Sequence, residues 1–369
     1  MNDNVTNQPD PHFSADILYF GERSDGGTIE AVELADMAGT RARILTMGAS
    51  LQALEIPDRD GRIDDVVLGF DDGRIYESDP HYFGSTIGRY ANRIASGRFT
   101  LDERDYVLAT NDGAHHLHGG ADGFHRKSWR IAGSGGGDTA WCRMVLDSPD
   151  GDQGYPGALQ IEVLYMLSPG QLAITYSATT DRPTVVGITN HAYFNLAGAG
   201  GAENALGHVL TIAADAYLPT DEGSIPTGER RPVAGSPFDF RTPAEVGRRI
   251  RDARDEPQLA FALGYDHNFV LRDGDTAMAA PRHAATLHHP GSGRTLDLFT
   301  DAPGLQFYTG NHLRGTAIGK GGRAYRQSDG LCLEPQPFPD SPNRPDFPSV
   351  RLDPGEVYRH RIAWRFAAA

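Results

Sequence analysis

Apolar and polar residues alternate with a period of two along much of the chain. Leu159, Ile161, Val163, Tyr165 and Leu167 share one face of an extended segment, with Gln160 and Glu162 on the other. Ser168-Pro169-Gly170 follows, then Leu172, Ile174, Tyr176 and Ala178, so the pattern predicts a hairpin with one buried face. Near the C-terminus Tyr358, His360, Ile362, Trp364 and Phe366 alternate with Arg359, Arg361 and Arg365, which suits a strand with one wet face. Helical spacing is scarce. Thr242-Pro243-Ala244-Glu245 has the form of a capping box with proline at the first helical position, followed by Val246 and Ile250, and predicts one short helix over residues 243–252. Gly133 to Gly137 reads as a glycine-rich turn, since strand-like sequence resumes at Trp141. The expected fold is all-β, a large antiparallel β-sandwich, with a flexible segment over residues 1–15 and a single domain over 16–369.

Composition fits that expectation and removes several functions. Forty-four glycines and 24 prolines among 369 residues suit many turns between short strands. A formal net charge of −15 repels phosphate backbones and anionic headgroups, which argues against nucleic-acid or membrane partners. No apolar run approaches the ~18–20 residues that span a bilayer. Residues 1–15 contain no apolar core of a signal peptide, and the two cysteines, Cys142 and Cys332, have no zinc-type or CxxC spacing. The expectation is two buried thiols in a cytoplasmic protein, monomer or homodimer.

Polar clusters interrupt the strand pattern at residues 88–93, 117–120, 189–191, 264–268, 306–308 and 333–336. They supply arginine, histidine, carboxylates and amides beside aromatics and glycines, an inventory suited to sugar hydroxyls and ring faces. Taken singly, each also has a plain reading. Arg93 could serve as a surface ion-pair partner, and His118 as the cap of the turn at Gly119-Gly120. His191 could be a core histidine ahead of Tyr193 and Phe194, and Asp266 one half of a structural turn pair with His267. Glu334 stands apart, because it ends the apolar run Leu331-Cys332-Leu333 and buried carboxylates are rare unless paired or working. His115, His116 and His118 lack HExxH and any accompanying ligand set, so no metal is expected there. There is no GxSxG for a serine hydrolase and no GK[ST] for a phosphate loop.

Taken in order, these segments resemble the galactose mutarotase, or aldose 1-epimerase, family. The resemblance is carried by GSTIGRYANRIASGRF at 84–99, Asn111-Asp112-Gly113 with LHGG at 117–120, Gly154-Tyr155-Pro156-Gly157 and TNHAYFNL at 189–196. It continues through Tyr217-Leu218-Pro219, Ile225-Pro226-Thr227-Gly228, residues 264–269, QFYTGN at 306–311 and Leu333-Glu334, from about Thr40 to the C-terminus. The resemblance implies a β-sandwich with a sugar site in a cleft on one sheet, and an isomerase that interconverts the anomers of a free hexose without cofactor or metal. It places the general base on Glu334 and the general acid on His191, and it places substrate contacts on Asn92, Arg93, His118, Asp266 and Gln306. One departure stands out. Pro335 occupies a position where the family commonly has threonine, and proline offers no N–H.

Mutarotation requires a base for the C1 hydroxyl and an acid for the ring oxygen. Glu334 as carboxylate and His191 as imidazolium would meet that need, with desolvation raising the Glu334 pKa and nearby Arg93 opposing the rise. Three alternatives are set against this. A glycoside hydrolase could pair Asp266 with Glu334. A sugar-binding protein would need neither acid nor base. A hexose-phosphate epimerase should gather arginines, for which Arg89 and Arg93 are the nearest candidates.

Overall fold

A computed structural model describes residues 12–252, 256–272 and 280–369. The hairpin forms as the alternation requires. Leu159–Ser168 pairs with Gln171–Thr180 from Leu159 opposite Thr180 to Ser168 opposite Gln171, and all nine inner-face residues are buried. Two residues close the turn, and Gly170 takes the positive φ of 65° that an L side chain resists. Tyr358–Ala368 joins the hairpin, with Ile362 opposite Ile174 and Trp364 opposite Leu172, while Arg359 and Arg365 remain exposed. These strands form the middle of a nine-stranded sheet.

A six-stranded sheet packs against the other side of the same core. Its strands run in the order Tyr193–Phe194, Leu331–Gln336, Gly304–Tyr308, Asp266–Leu271, Ala214–Leu218 and Arg231–Pro232. Leu331, Leu333, Leu305, Phe307 and Phe269 on one face of it join Ile161, Ile174 and Trp364 of the larger sheet in one apolar cluster. Phe194 meets Trp364 edge-on at 5.2 Å between ring centroids, so aromatic packing ties the two layers. A five-stranded sheet from Phe13–Glu22 to Ile63–Asp65 adds Val32, Leu34, Ile44 and Leu54 to that cluster. Cys142 and Cys332 are both buried and unpaired.

Three local expectations are corrected. The helix over 243–252 does not form. Ala244 and Glu245 instead pair with Leu210 and Val209 at the edge of the nine-stranded sheet, and Val246–Arg248 makes one 3-10 turn. Pairing there satisfies backbone groups and buries Val246 and Ile250, outweighing a capping preference worth only about 1 kcal/mol. The α-helix among the described residues is Pro257–Ala262, with proline in its first turn and the Glu256 side chain accepting from the Gln258 N–H. Gly133 and Gly135 belong to the strand Arg130–Gly135, where the Trp141 side chain covers them and leaves no room for a β-carbon at Gly135. Finally, the first strand begins at Phe13, so residues 13–15 belong to a sheet, and residues 1–11 of the expected flexible segment lie outside the described residues.

Candidate active site

The period of two that buries Leu333 and Phe307 in the core sends their neighbours to the opposite face. Across the three central strands of the six-stranded sheet, Asn268, Gln306 and Glu334 lie side by side, and Asp266, Tyr308 and Cys332 form the adjacent row. Polar residues at alternate positions therefore share one face by register alone. Loops roof this face and leave a cavity of about 380 Å³. All seven residues expected at the site line it: Asn92, Arg93, His118, His191, Asp266, Gln306 and Glu334.

Each side chain is fixed locally. The His191 N–H donates to the Ser85 carbonyl and its own carbonyl accepts from the Gly84 N–H, both at 3.0 Å. Gly84 has φ 65°, and a β-carbon there would collide with the Leu51 carbonyl oxygen, so only glycine lets this segment clamp His191. The Asn92 N–H donates to His118 Nδ1 at 3.2 Å, which leaves the proton of a neutral His118 on Nε2 as a donor. Gln306 Nε2 donates to Asp266 Oδ1 at 2.7 Å, and Arg93 Nε to Asp112 Oδ2 at 2.7 Å. The plain reading of Arg93 is thus half right: it is ion-paired, but on the cavity wall. Pro335 pairs with Leu305 within its strand, beyond the short neighbour Tyr193–Phe194 that covers only Leu331 and Cys332. A missing N–H on that outer side breaks no ladder, and Glu334 keeps its register against Gln306.

His191 Nε2 lies 3.7 Å from Glu334 Oε2, and both side chains are buried. Burial pushes the Glu334 pKa well above the carboxylate range, and the like charge of Asp266 adds to the rise. This corrects the expectation that Arg93 opposes it, because Arg93 is committed to Asp112. Burial also lowers His191 to about 4, so the ring is neutral at pH 7 in the free protein and not the imidazolium expected from sequence. His118 is driven well below its ordinary value for the same reason, with the charges of His191 and Arg93 adding to it.

The neighbouring histidines are engaged separately. His115 Nδ1 accepts from the Ser96 N–H, while His116 bridges the Ala109 carbonyl and the Tyr155 hydroxyl. Among the described residues, His191, Cys332 and Glu334 are the one group whose donor atoms fall within 4.8 Å of one another. Cys332 Sγ sits 3.5 Å from His191 Nδ1 and Glu334 Oε2 3.7 Å from its Nε2, so the imidazole lies between the thiol and the carboxylate. Arg89 is buried and donates to the carbonyls of Ser148, Pro149, Pro156 and Gly157, which explains the Gly154–Gly157 motif and keeps Arg89 out of the cavity.

Sequence reasoning missed Tyr82, Tyr308, His81, His312 and Arg314, which also line the cavity. Tyr308 was within reach: it lies two residues from Gln306 in one strand and must share its face. The others sit outside the strands or at their ends, where periodicity carries no signal.

The aldose 1-epimerase family model matches residues 30–365. A galactose mutarotase from Bos taurus is 45% identical over 353 residues, covering 95% of this chain and 98% of that protein. An aldose 1-epimerase from Escherichia coli K12 is 38% identical over 348 residues, with 93% and 97% covered. The crystal structure of a galactose 1-epimerase from Lactobacillus acidophilus superposes with a TM-score of 0.82 at 29% identity, covering 96% of this chain and 98% of the other.

Proposed function

The chain belongs to the aldose 1-epimerase family, and from that premise we propose that it interconverts the α and β anomers of a free hexose such as galactose, with Glu334 as base and His191 as acid. The observation that carries the reading is the convergence of a buried carboxylate and a buried imidazole, 3.7 Å apart, in a cavity sized for a small molecule and lined by hydroxyl-binding groups. Asn92, Arg93, His118, Asp266 and Gln306 hold the hydroxyls so that C1 and the ring oxygen lie between the pair. Glu334 takes the C1 hydroxyl proton, His191 protonates the ring oxygen, and the bond between C1 and the ring oxygen breaks to leave the open-chain aldehyde. Rotation about C1–C2 presents the other carbonyl face, and the two proton transfers run backwards to close the ring.

Throughout this cycle the pair holds one proton. In the free protein it sits on Glu334; for ring opening it must pass to His191, and in the open-chain complex it is back on Glu334. Burial favours the uncharged arrangement with the proton on Glu334, so the site is matched to the higher-energy open form rather than to the ring. With freshly dissolved α-glucose, α-galactose, xylose or arabinose, polarimetry will show accelerated decay of optical rotation for at least the hexoses. No acceleration with any of them would leave a sugar-binding protein as the better reading.

The pH dependence follows from the same inventory. As pH falls through about 4, His191 gains a proton while Glu334 still carries one, and no base remains. As pH rises past the elevated Glu334 pKa, the pair loses its one proton and no acid remains. The expected kcat/KM profile is a broad bell with its acid limb near pH 4. An acid limb near the ordinary histidine value would contradict it. One chain supplies every residue named here, between positions 92 and 334, so a single domain acting as a monomer suffices. No helix among the described residues is long and apolar enough to cross a membrane.

A further inference from the structure

Among the described residues, Tyr82 is the only phenylalanine, tyrosine or tryptophan with a left-handed backbone, at φ 61°. A bulky side chain resists this conformation, so something must hold it there. Asp79 does so. Its two carboxylate oxygens accept from the N–H groups on either side of Tyr82, His81 at 3.0 Å and Phe83 at 3.2 Å. The Tyr82 carbonyl accepts from the Ser85 N–H, and the Ser85 carbonyl accepts from the N–H of His191, so a continuous run of main-chain bonds joins Asp79 to the acid. Asp79 is itself buried, which lifts its pKa to about 6 and makes it an unfavourable place for a carboxylate that anchors nothing.

The Tyr82 ring goes among three imidazoles. It meets His118 and His125 edge-on, each at 4.7 Å between centroids, and lies tilted against His191 at 5.7 Å. His118 and His191 also touch each other, edge to face at 5.3 Å. Removing this ring would open all three imidazoles to water from the cavity.

We propose that Tyr82 is a positioning residue whose ring, held in a strained backbone by Asp79, seals His118, His125 and His191 from water and fixes the plane of His191. The inference rests on the reading of His191 as the acid, but the sealing can be observed without it. Burial does most to lower the pKa of each of the three histidines, bringing His191 to about 4 and His125 to about 3. The other titratable groups facing them are Glu334, Cys332, Tyr193, Tyr308 and His81 at His191, Arg93 and His116 at His118, and Arg126 and Lys127 at His125. All of these remain when Tyr82 is changed.

Histidine resonances followed by NMR across about pH 5–8, where imidazoles ordinarily titrate, give the decisive measurement, with polarimetric kcat beside it. In the wild type and in Tyr82→Phe, the three signals stay unprotonated over this range, and kcat agrees within about threefold. In Tyr82→Ala they move toward ordinary titration, and kcat falls ~10–10²-fold as the acid loses its alignment. Tyr82→Gly adopts the left-handed backbone without strain and should behave as Tyr82→Ala does, which separates loss of the ring from collapse of the loop. Asp79→Ala, which frees the loop but keeps the ring, should reproduce the histidine shifts. If folded Tyr82→Gly leaves all three histidines silent, the proposal is wrong. If the histidines titrate while kcat is unchanged, the seal is real and His191 is not the acid.

Discussion

Replacing Glu334 by glutamine lowers kcat by ~10²–10⁴, the usual worth of a positioned acid or base, and leaves sugar affinity within a few-fold. Glutamine keeps the shape of the side chain and its place in register with Gln306. It cannot accept the C1 hydroxyl proton. Glu334 Oε2 has no hydrogen-bond partner within the protein, so the substitution breaks no existing bond at that atom. The pairs on the cavity wall proposed to hold the hydroxyls, Arg93 with Asp112 and Gln306 with Asp266, are untouched. Loss in kcat with little change in affinity marks an interaction made chiefly in the transition state. The variant should also melt no lower than the wild type. A carboxyl group whose folded pKa is raised destabilises the fold once pH exceeds its unfolded value, and the neutral amide removes that penalty. Polarimetry gives the rates and calorimetric titration the affinity. If more than a tenth of wild-type kcat survives, another group is the base, and Asp266, in reach of Gln306, is the next candidate.

Much of this site is legible in the sequence alone. The alternation that defines the hairpin at 159–180 is the same physical rule that puts Asp266, Gln306 and Glu334 on one face, and the ordered motifs carry the resemblance from which their proposed roles come. Glu334 is visible as an anomaly, a carboxylate ending an apolar run. Its charge environment is not, because that depends on which cation is free. Arg93 is close in every motif-based picture, yet its bond to Asp112 leaves Asp266 as the charge that Glu334 feels. The helix expected at 243–252 fails for a related reason: local capping chemistry is weak, and an unpaired sheet edge beside Val209 and Leu210 offers the same residues backbone partners and burial. Left-handed residues such as Tyr82, Asn92 and His118 follow no period at all, since tertiary contacts and not local sequence preference hold them.

Replacing His191 by asparagine should cost about as much as replacing Glu334, and the combined change should cost much less than the product of the two. Asparagine leaves intact the main-chain bonds to Ser85 and Gly84 that clamp this position, so the fold around the site persists. What disappears is Nε2, the atom 3.7 Å from Glu334 that would deliver a proton to the ring oxygen. Without it the departing oxygen leaves as an alkoxide, and kcat falls by ~10²–10⁴. Once either partner is gone, the single proton that the pair passes between sugar oxygens has no route, and the other partner has nothing left to contribute. A double-mutant cycle therefore returns a coupling energy of several kcal/mol, beyond the ~0.5–3 kcal/mol of ordinary contacting residues. The pH profile supplies a second readout: the acid limb near pH 4 belongs to His191 and should vanish from the residual activity of the asparagine variant. Additive losses, with that limb still in place, would mean that the two residues act in separate steps and share no proton.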